Sequence, residues 1–141
     1  MKYPFNVRAY GALIVDDQIL LIKESYRGVN MTKLPGGGLQ FGEGLKQCVV
    51  REFLEELGIN VRVDQHIYTT DFFQPSAFDS NEQLLSVYYR VSAVDNNFDF
   101  SNIAALEPGK KVYWHPLSTL NPDVFTFPVD KYVSELLVKF G

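Results

Sequence analysis

The chain has 141 residues, 46% of them apolar and 14% aromatic, and carries a formal charge of −4 at pH 7. That length suits one domain with a real core, spanning residues 1–141, and the apolar content excludes a disordered chain. Between Val63 and Gly109 seven acids face one basic residue, Arg90, which is poor material for gripping a long nucleic-acid backbone.

Cys48 is the single cysteine, so no internal disulfide framework is expected. No stretch is long and apolar enough to span a bilayer. The opening residues, MKYPFNVRAY, lack the apolar run of a secretory signal. A cytoplasmic location and no membrane partner are the default expectation.

Residues 1–6 lead in, with Pro4 among them. From Val7 to Val15 both alternating sets are apolar: Val7, Ala9, Leu13 and Val15 on one face, Tyr10, Ala12 and Ile14 on the other. That predicts a central strand covered on both sides. Asp16-Asp17 signals a turn, and Gln18 to Glu24 predicts a second strand in a hairpin with the first. Ser25 to Thr32, with Gly28 and Asn30, reads as a loop. A short strand at Lys33-Leu34 is stopped by Pro35, and Gly36 to Gly38 reads as a glycine-rich turn.

A helix is predicted over Glu43 to Leu57. Leu45, Val49, Phe53 and Leu57 recur every fourth residue, with Val50 and Leu54 beside them on one broad apolar face. Gly58 stands just past the last periodic residue, where a left-handed cap costs least. Cys48 lies near the apolar side and reads as a small buried hydrophobe, not a nucleophile.

Asn60 to Phe73 alternates in part and ends in an aromatic patch. Gln74 to Asn81 reads as a loop near the substrate opening, Glu82 to Val94 as a strand, and Asp95 to Ser101 as an excursion or turn. Ile103 to Glu107 suggests a short turn or bulge, Lys111 to His115 another strand, and Pro116 to Asn121 a turn. Pro128 to Phe140 predicts a second amphipathic helix, with Pro128 suited to its first turn. Helices on both sides of a mixed sheet would bury these faces, an α/β arrangement.

Glu52, Glu55 and Glu56 are spaced i, i+3, i+4, which puts three carboxylates on one helix face. Each like-charge pair costs about a few tenths of a kcal/mol in an isolated helix, and these acids lie in the half where the dipole opposes them. A solvated acidic surface is one reading. The other is a hard divalent cation, which accepts carboxylate and backbone oxygens and cancels the repulsion. The preceding glycines let backbone approach an ion or phosphate closely.

Gly37, Glu43, Arg51, Glu52, Phe53, Glu55, Glu56, Gly58 and Ile59 fit a known signature: Gly, five residues, Glu, seven residues, then Arg-Glu-apolar-x-Glu-Glu-x-Gly-apolar. On these residues the sequence resembles the Nudix (MutT-like) hydrolases. The signature covers about a sixth of the chain. The resemblance implies an α/β/α sandwich around a mixed, partly curled sheet. It also implies hydrolysis, with Mg²⁺ or Mn²⁺, of the diphosphate in a small nucleoside diphosphate derivative such as ADP-ribose or a nucleotide sugar. A nucleoside triphosphate pyrophosphohydrolase is the alternative, and a non-catalytic nucleotide-binding or sensing module is the alternative from another class. A homodimer is compatible with the family and with the aromatic content.

By the same resemblance Glu55 and Glu56 are the principal metal ligands, and Glu52 binds metal or accepts the proton of the attacking water. The Gly37 carbonyl is an additional ligand, and Glu43 is a metal or outer contact. Arg51 joins the catalytic set as a structural partner. It is turned about a hundred degrees from Glu52 and ties the glycine loop or a carboxylate to the helix. Family members often recruit a further acid from a loop, for which Glu82 is the first candidate and Asp79 and Glu107 the next. Arg8, Lys23, Arg27 and Lys33 are candidate phosphate contacts, with Lys23 and Lys33 preferred. Phe72, Phe73, Phe78 and Phe127 are candidates for stacking a base, the alternative for each being a place in the core. His66 and His115 read as structural.

Overall fold

The computed structural model describes residues 2–95 and 99–140. Seven strands and two helices follow one another as β1 (Phe5–Val15), β2 (Gln18–Tyr26), β3 (Val29–Lys33), β4 (Gly36–Gly38), α1 (Leu45–Leu57), β5 (Val61–Thr69), β6 (Gln83–Ala93), β7 (Lys110–Pro116) and α2 (Pro128–Phe140). Short 3₁₀ turns at Phe100–Asn102, Leu117–Thr119 and Pro122–Val124 flank β7 and lead into α2. The central position expected for the first strand holds. β1 runs parallel to β6 from Phe5 opposite Gln83 to Leu13 opposite Val91, and its other edge is shared. There β4 pairs with Arg8, Ala9 and Tyr10, while β2 takes over at Ile14 and Val15.

The expected β1–β2 hairpin turns on Asp16 and Asp17, whose φ values of 51° and 62° suit a two-residue turn that follows the strand twist. β2 then pairs antiparallel with β7 from Gln18 to Glu24 and with β3 from Ile22 onward. β5 closes the far edge against β6. The result is a mixed sheet in the order β3-β2-β1-β6-β5, with β4 against β1 and β7 against β2. It is not closed.

Alternation along the central strands sorts the core into two layers. Ala9, Leu13, Leu20 and Ile22 face α1 and pack with Val49, Phe53 and Leu57. Tyr10, Ala12, Ile19 and Leu21 face the opposite way and pack with Val129, Val133 and Leu137 of α2. Both sheet faces are covered, as the doubly apolar pattern predicts. An added Cβ at Gly11 would lie 2.6 Å from the Phe53 ring, so this glycine lets α1 sit close on β1. Phe53 is fully buried, and truncating it to Ala would cost about 3–5 kcal/mol.

Three expectations need correction. Ser25 to Thr32 is not a loop: Arg27 and Gly28, both with positive φ, make a tight turn that lets β2 and β3 form a second hairpin. Gly36–Gly38 is a strand paired with β1, so backbone pairing fixes the residues that sequence alone reads as a free turn. On α1, Leu54 is 49% exposed while Glu56 is 1% exposed, because the helix rolls its Glu56 edge toward β4. The excursion expected over Asp95 to Ser101 falls partly outside the described residues. No helix among them is long and apolar enough to cross a membrane.

Candidate active site

The glycine strand β4 and helix α1 bring the signature residues together. Helix α1 starts after Gly44, whose N–H donates to the Gln47 side chain. It ends at Gly58, where the left-handed φ of 69° closes the cap onto Leu54 and Phe53. Between them Arg51 acts as a hub. Its Nη2 donates to the Gly38 carbonyl at 3.0 Å, and two of its nitrogens meet both oxygens of Glu43. The remaining fork nitrogen reaches back to Glu52 at 3.0 Å and onward to Glu55 at 3.1 Å. The expectation that Arg51 ties the glycine segment to the helix fits this arrangement. The expectation that it points away from Glu52 does not, because the long side chain bends back along its own turn. Hydrogen bonds from Arg51 hold the Glu43 carboxyl down at about 2 and keep the guanidinium pKa above its ordinary value.

Glu56 is built differently. One oxygen accepts the Gly36 N–H at 3.1 Å and the other the Lys110 ammonium at 2.8 Å. Burial pushes this carboxyl above the usual range, against the pull of Lys110. Lys110 also bonds Glu107 at 2.6 Å and lies 3.8 Å from Glu24, which in turn pairs with Lys33 at 2.6 Å. Burial alone would lower the Lys110 pKa, but hydrogen bonds to Glu107 and Glu56 raise it overall. A buried carboxylate with a hydrogen-bonded cation avoids the cost of an isolated buried charge.

Gly37 is where the backbone meets Glu52. A Cβ at this position would sit 2.5 Å from Glu52 Oε1 and 2.6 Å from its carboxyl carbon, so no other residue leaves the carboxylate in place. Cys48 is fully buried beneath, with its Sγ 3.5 Å from the Gly38 carbonyl, and burial raises its thiol to about 11. Such a thiol is no nucleophile at neutral pH. All four acids engage cations or amides of the chain, and no three His, Cys, Asp or Glu side chains converge in ligand geometry among the described residues. The types of donor nevertheless suit a hard divalent ion: carboxylate oxygens beside a glycine backbone that leaves room against Glu52.

Beside this cluster opens a cavity of about 580 Å³. Tyr26, Met31, Phe78 and Phe127 line it together with Arg8, Lys33 and Lys110. Tyr26 and Phe78 meet edge to face with centroids 5.0 Å apart. Deeper in, Tyr10 and Tyr88 stack at 5.1 Å, Arg8 donates to the Tyr10 hydroxyl at 2.6 Å, and the Tyr88 hydroxyl donates to Asp130. Burial raises the Asp130 carboxyl to about 6. Lys110 and Arg8 join cavity to cluster: Lys110 bonds Glu56, and the Arg8 guanidinium feels the charge of Glu52 and Glu56.

A model of the NUDIX domain matches residues 5–136. The chain belongs to the Nudix family. YvcI of Bacillus subtilis (strain 168), an uncharacterized Nudix hydrolase, is 25% identical over 127 residues, or 90% of this chain and 75% of that one. A NUDIX hydrolase from Nitrosomonas europaea superposes with a TM-score of 0.74 at 23% identity, covering 94% of this chain and 87% of the other. An ADP-ribose pyrophosphatase from Streptococcus suis 89-1591 superposes at 0.62 and 19% identity, covering 95% and 90%. These likenesses bear out the α/β/α sandwich around a mixed sheet. As a Nudix hydrolase, the protein is an enzyme acting on phosphoanhydride bonds, in a family that is generally dependent on divalent metal.

Within this Nudix fold the sequence candidates separate. Arg51 gathers Glu43, Glu52 and Glu55, Gly37 lies against Glu52, and Glu56 stands apart on Gly36 and Lys110. Glu82 lies on the cavity wall, accepting from Asn6 Nδ2 at 3.1 Å, and Asp79 lines the same wall. Arg8, Arg27, Lys33, Phe78 and Phe127 line the cavity too, whereas Lys23, Phe72 and Phe73 do not. Lys23 instead lies over the Tyr113 ring at 5.0 Å. His66 and His115 bond Thr69 and Thr119 at the surface. Sequence reasoning passed over Lys110, Asp130 and Tyr88. Asp130 carried a signal, being a carboxylate in the first turn of an otherwise apolar helix face. Lys110 carried none, since its role depends on a pairing between distant strands.

Proposed function

We infer that this enzyme is a Mg²⁺-dependent hydrolase, with Mn²⁺ as an alternative, that cleaves the diphosphate linkage of a small nucleoside diphosphate derivative such as ADP-ribose or a nucleotide sugar, by water attack at phosphorus. The observation that carries this reading is the cavity beside the glutamates, whose wall carries both aromatic rings and cations. Aromatic rings such as Tyr26 and Phe78 suit a nucleobase, and the cations suit phosphates, with Lys110 linking the wall to Glu56. An ADP-ribose pyrophosphatase with the same fold supports the substrate class.

Glu55, Glu56 and the Gly37 carbonyl would hold the ion, with Glu52 as a further ligand or as acceptor of the water's proton and Glu43 as a nearby contact. When bound, a divalent ion neutralises phosphate charge and makes a water more acidic. Arg51 keeps the carboxylates and the glycine strand in register. Arg8 and Lys33 face the phosphates, and Glu82 is the loop acid placed to take part.

The test is product analysis with ADP-ribose, dinucleotides, nucleotide sugars and nucleoside triphosphates, with and without Mg²⁺. Release of a nucleoside monophosphate from an ADP-ribose-like substrate is expected to require the ion. It should fall by at least about a hundredfold in Glu52→Gln and in Glu56→Gln. Activity that survives both substitutions overturns the mechanism. Pyrophosphate release from triphosphates alone moves the substrate to the nucleotide pool, and tight nucleotide binding with no turnover of any of them makes the protein a binding module.

A further inference from the structure

Glu56 is a buried acid with two partners of different kinds, one fixed and one able to move. The Gly36 N–H belongs to β4 and is held by strand pairing to β1. Lys110 is a flexible ammonium at the first position of β7, opposite Glu24 in the ladder. The segment before it is docked on the same helix turn, since the Leu106 N–H donates to the Glu56 carbonyl at 2.8 Å. The backbone thus delivers Lys110 to Glu56 from one side, and Lys110 lines the cavity while Glu56 does not. Two other carboxylates stand within reach of the same ammonium, Glu107 at 2.6 Å and Glu24 at 3.8 Å.

A buried carboxylate needs a counter-charge whether or not an ion is present. An ammonium bonded to one of its oxygens repels a divalent cation seeking that oxygen. Resting on the reading of Glu56 as a metal ligand, we propose that Lys110 takes the place of the divalent ion at Glu56 in the metal-free protein, and that Glu107, which already shares the ammonium, and Glu24 retain it when the ion binds. Lys110 is then a positioning residue that holds the Glu56 carboxyl in place before loading. It also sets the ion's affinity by competing with it. Glu107 works on the other side of the balance, because it still pairs with the ammonium once Glu56 has let go.

Mn²⁺ binding to the whole chain, followed by electron paramagnetic resonance without substrate, tests this. Lys110→Met is expected to bind Mn²⁺ about tenfold tighter than wild type, an effect the size of one lost charge contact. Glu107→Gln should bind it several-fold more weakly in the wild-type background and change nothing in the Lys110→Met background. That pattern separates an exchange partner from a direct ligand, which would weaken binding in both. Wild-type or weaker affinity in Lys110→Met overturns the proposal. Should Lys110→Met fail to fold, Lys110→Gln takes its place in both comparisons, and an unchanged affinity in Glu107→Gln overturns the proposal by itself. If Glu56→Gln binds Mn²⁺ as well as wild type, it is the assignment of Glu56 as a ligand that falls.

Discussion

Arg51 and Glu43 stand eight residues apart and meet through two contacts, Nε to Oε2 at 3.0 Å and Nη2 to Oε1 at 2.8 Å. The same guanidinium holds the Gly38 carbonyl and touches Glu52 and Glu55. A lysine keeps the charge and loses the planar fork. Arg51→Lys is expected to cost about 10- to 100-fold in metal affinity or turnover, as for other residues that orient ligands. With its carboxyl lowered to about 2, Glu43 contributes stability above its unfolded value near ~4.3. That contribution is lost as pH falls through the folded value. A carboxyl ¹³C titration should place Glu43 near 2 in wild type and higher in Arg51→Lys. A wild-type midpoint near 4 would show the fork to be broken in solution.

Gly37→Ala forces a methyl group to within 2.5 Å of Glu52 Oε1. Either the carboxylate or β4 must move, and a displacement near 1 Å at a reacting centre costs about a hundredfold. Turnover should drop by that order while circular dichroism shows the fold intact. Wild-type kcat in the alanine variant would mean that Glu52 has no need of its observed position.

Asp130 makes stability depend on pH in the direction opposite to Glu43. Its carboxyl is raised to about 6 by burial, above an unfolded value near ~3.9. The native state therefore holds the proton between these values, and stability is fullest below the unfolded value and falls as pH rises through 6. The fall amounts to about 3 kcal/mol. Asp130→Asn keeps an acceptor for the Tyr88 hydroxyl and should erase it. Urea unfolding at several pH values reads the difference between the two proteins, and parallel curves would exclude a titrating Asp130.

Two of the aromatic candidates should behave differently. Phe78 lines the cavity against Tyr26, while Phe72 stands 42% exposed outside it. Phe78→Ala is expected to raise KM about tenfold, in line with a lost stacking contact of ~1–3 kcal/mol, and Phe72→Ala to leave it unchanged. The reverse order would move the base to the other side of the loop.

At the β1–β2 turn both Asp16 and Asp17 adopt positive φ, a conformation that costs a residue with a Cβ. Asp17→Gly should stabilise the protein by about 0.5–1 kcal/mol, since Asp-Gly is a favoured pair for this turn. Thermal unfolding checks it, and hydrolysis should stay at the wild-type rate.

Local patterns revealed those parts of the fold whose order is local. Helix α2 matches its expected span because apolar spacing and Pro128 act within one stretch, and the doubly apolar β1 announced its central place. The β2–β3 hairpin was hidden because Arg27 takes a positive φ that its residue type does not advertise. Strand β4 was hidden because three glycines carry no side-chain alternation. At the site the signature spacing brought Glu43, Arg51 and Glu52 into view together. Burial inverted the reading of Leu54 and Glu56, since the glycine N–H and Lys110 that make Glu56 tolerable come from β4 and β7. Lys23 and Lys33 sit on paired strands, and only the β2–β3 register decides which of them faces the cavity.

The parallel pairing of β1 with β6 also governs when the site can exist. Val7 cannot meet Leu85, nor Leu13 meet Val91, until most of the chain has left the ribosome. Contacts so distant in sequence form late and slowly. The β2–β3 hairpin and α1 are complete in the chain long before that, so the acidic helix is made while β1 still lacks one neighbour. Until β6 arrives, β1 presents an open apolar edge to other chains. The interval between synthesis of α1 and of β6 is therefore one in which a nascent chain is exposed to aggregation.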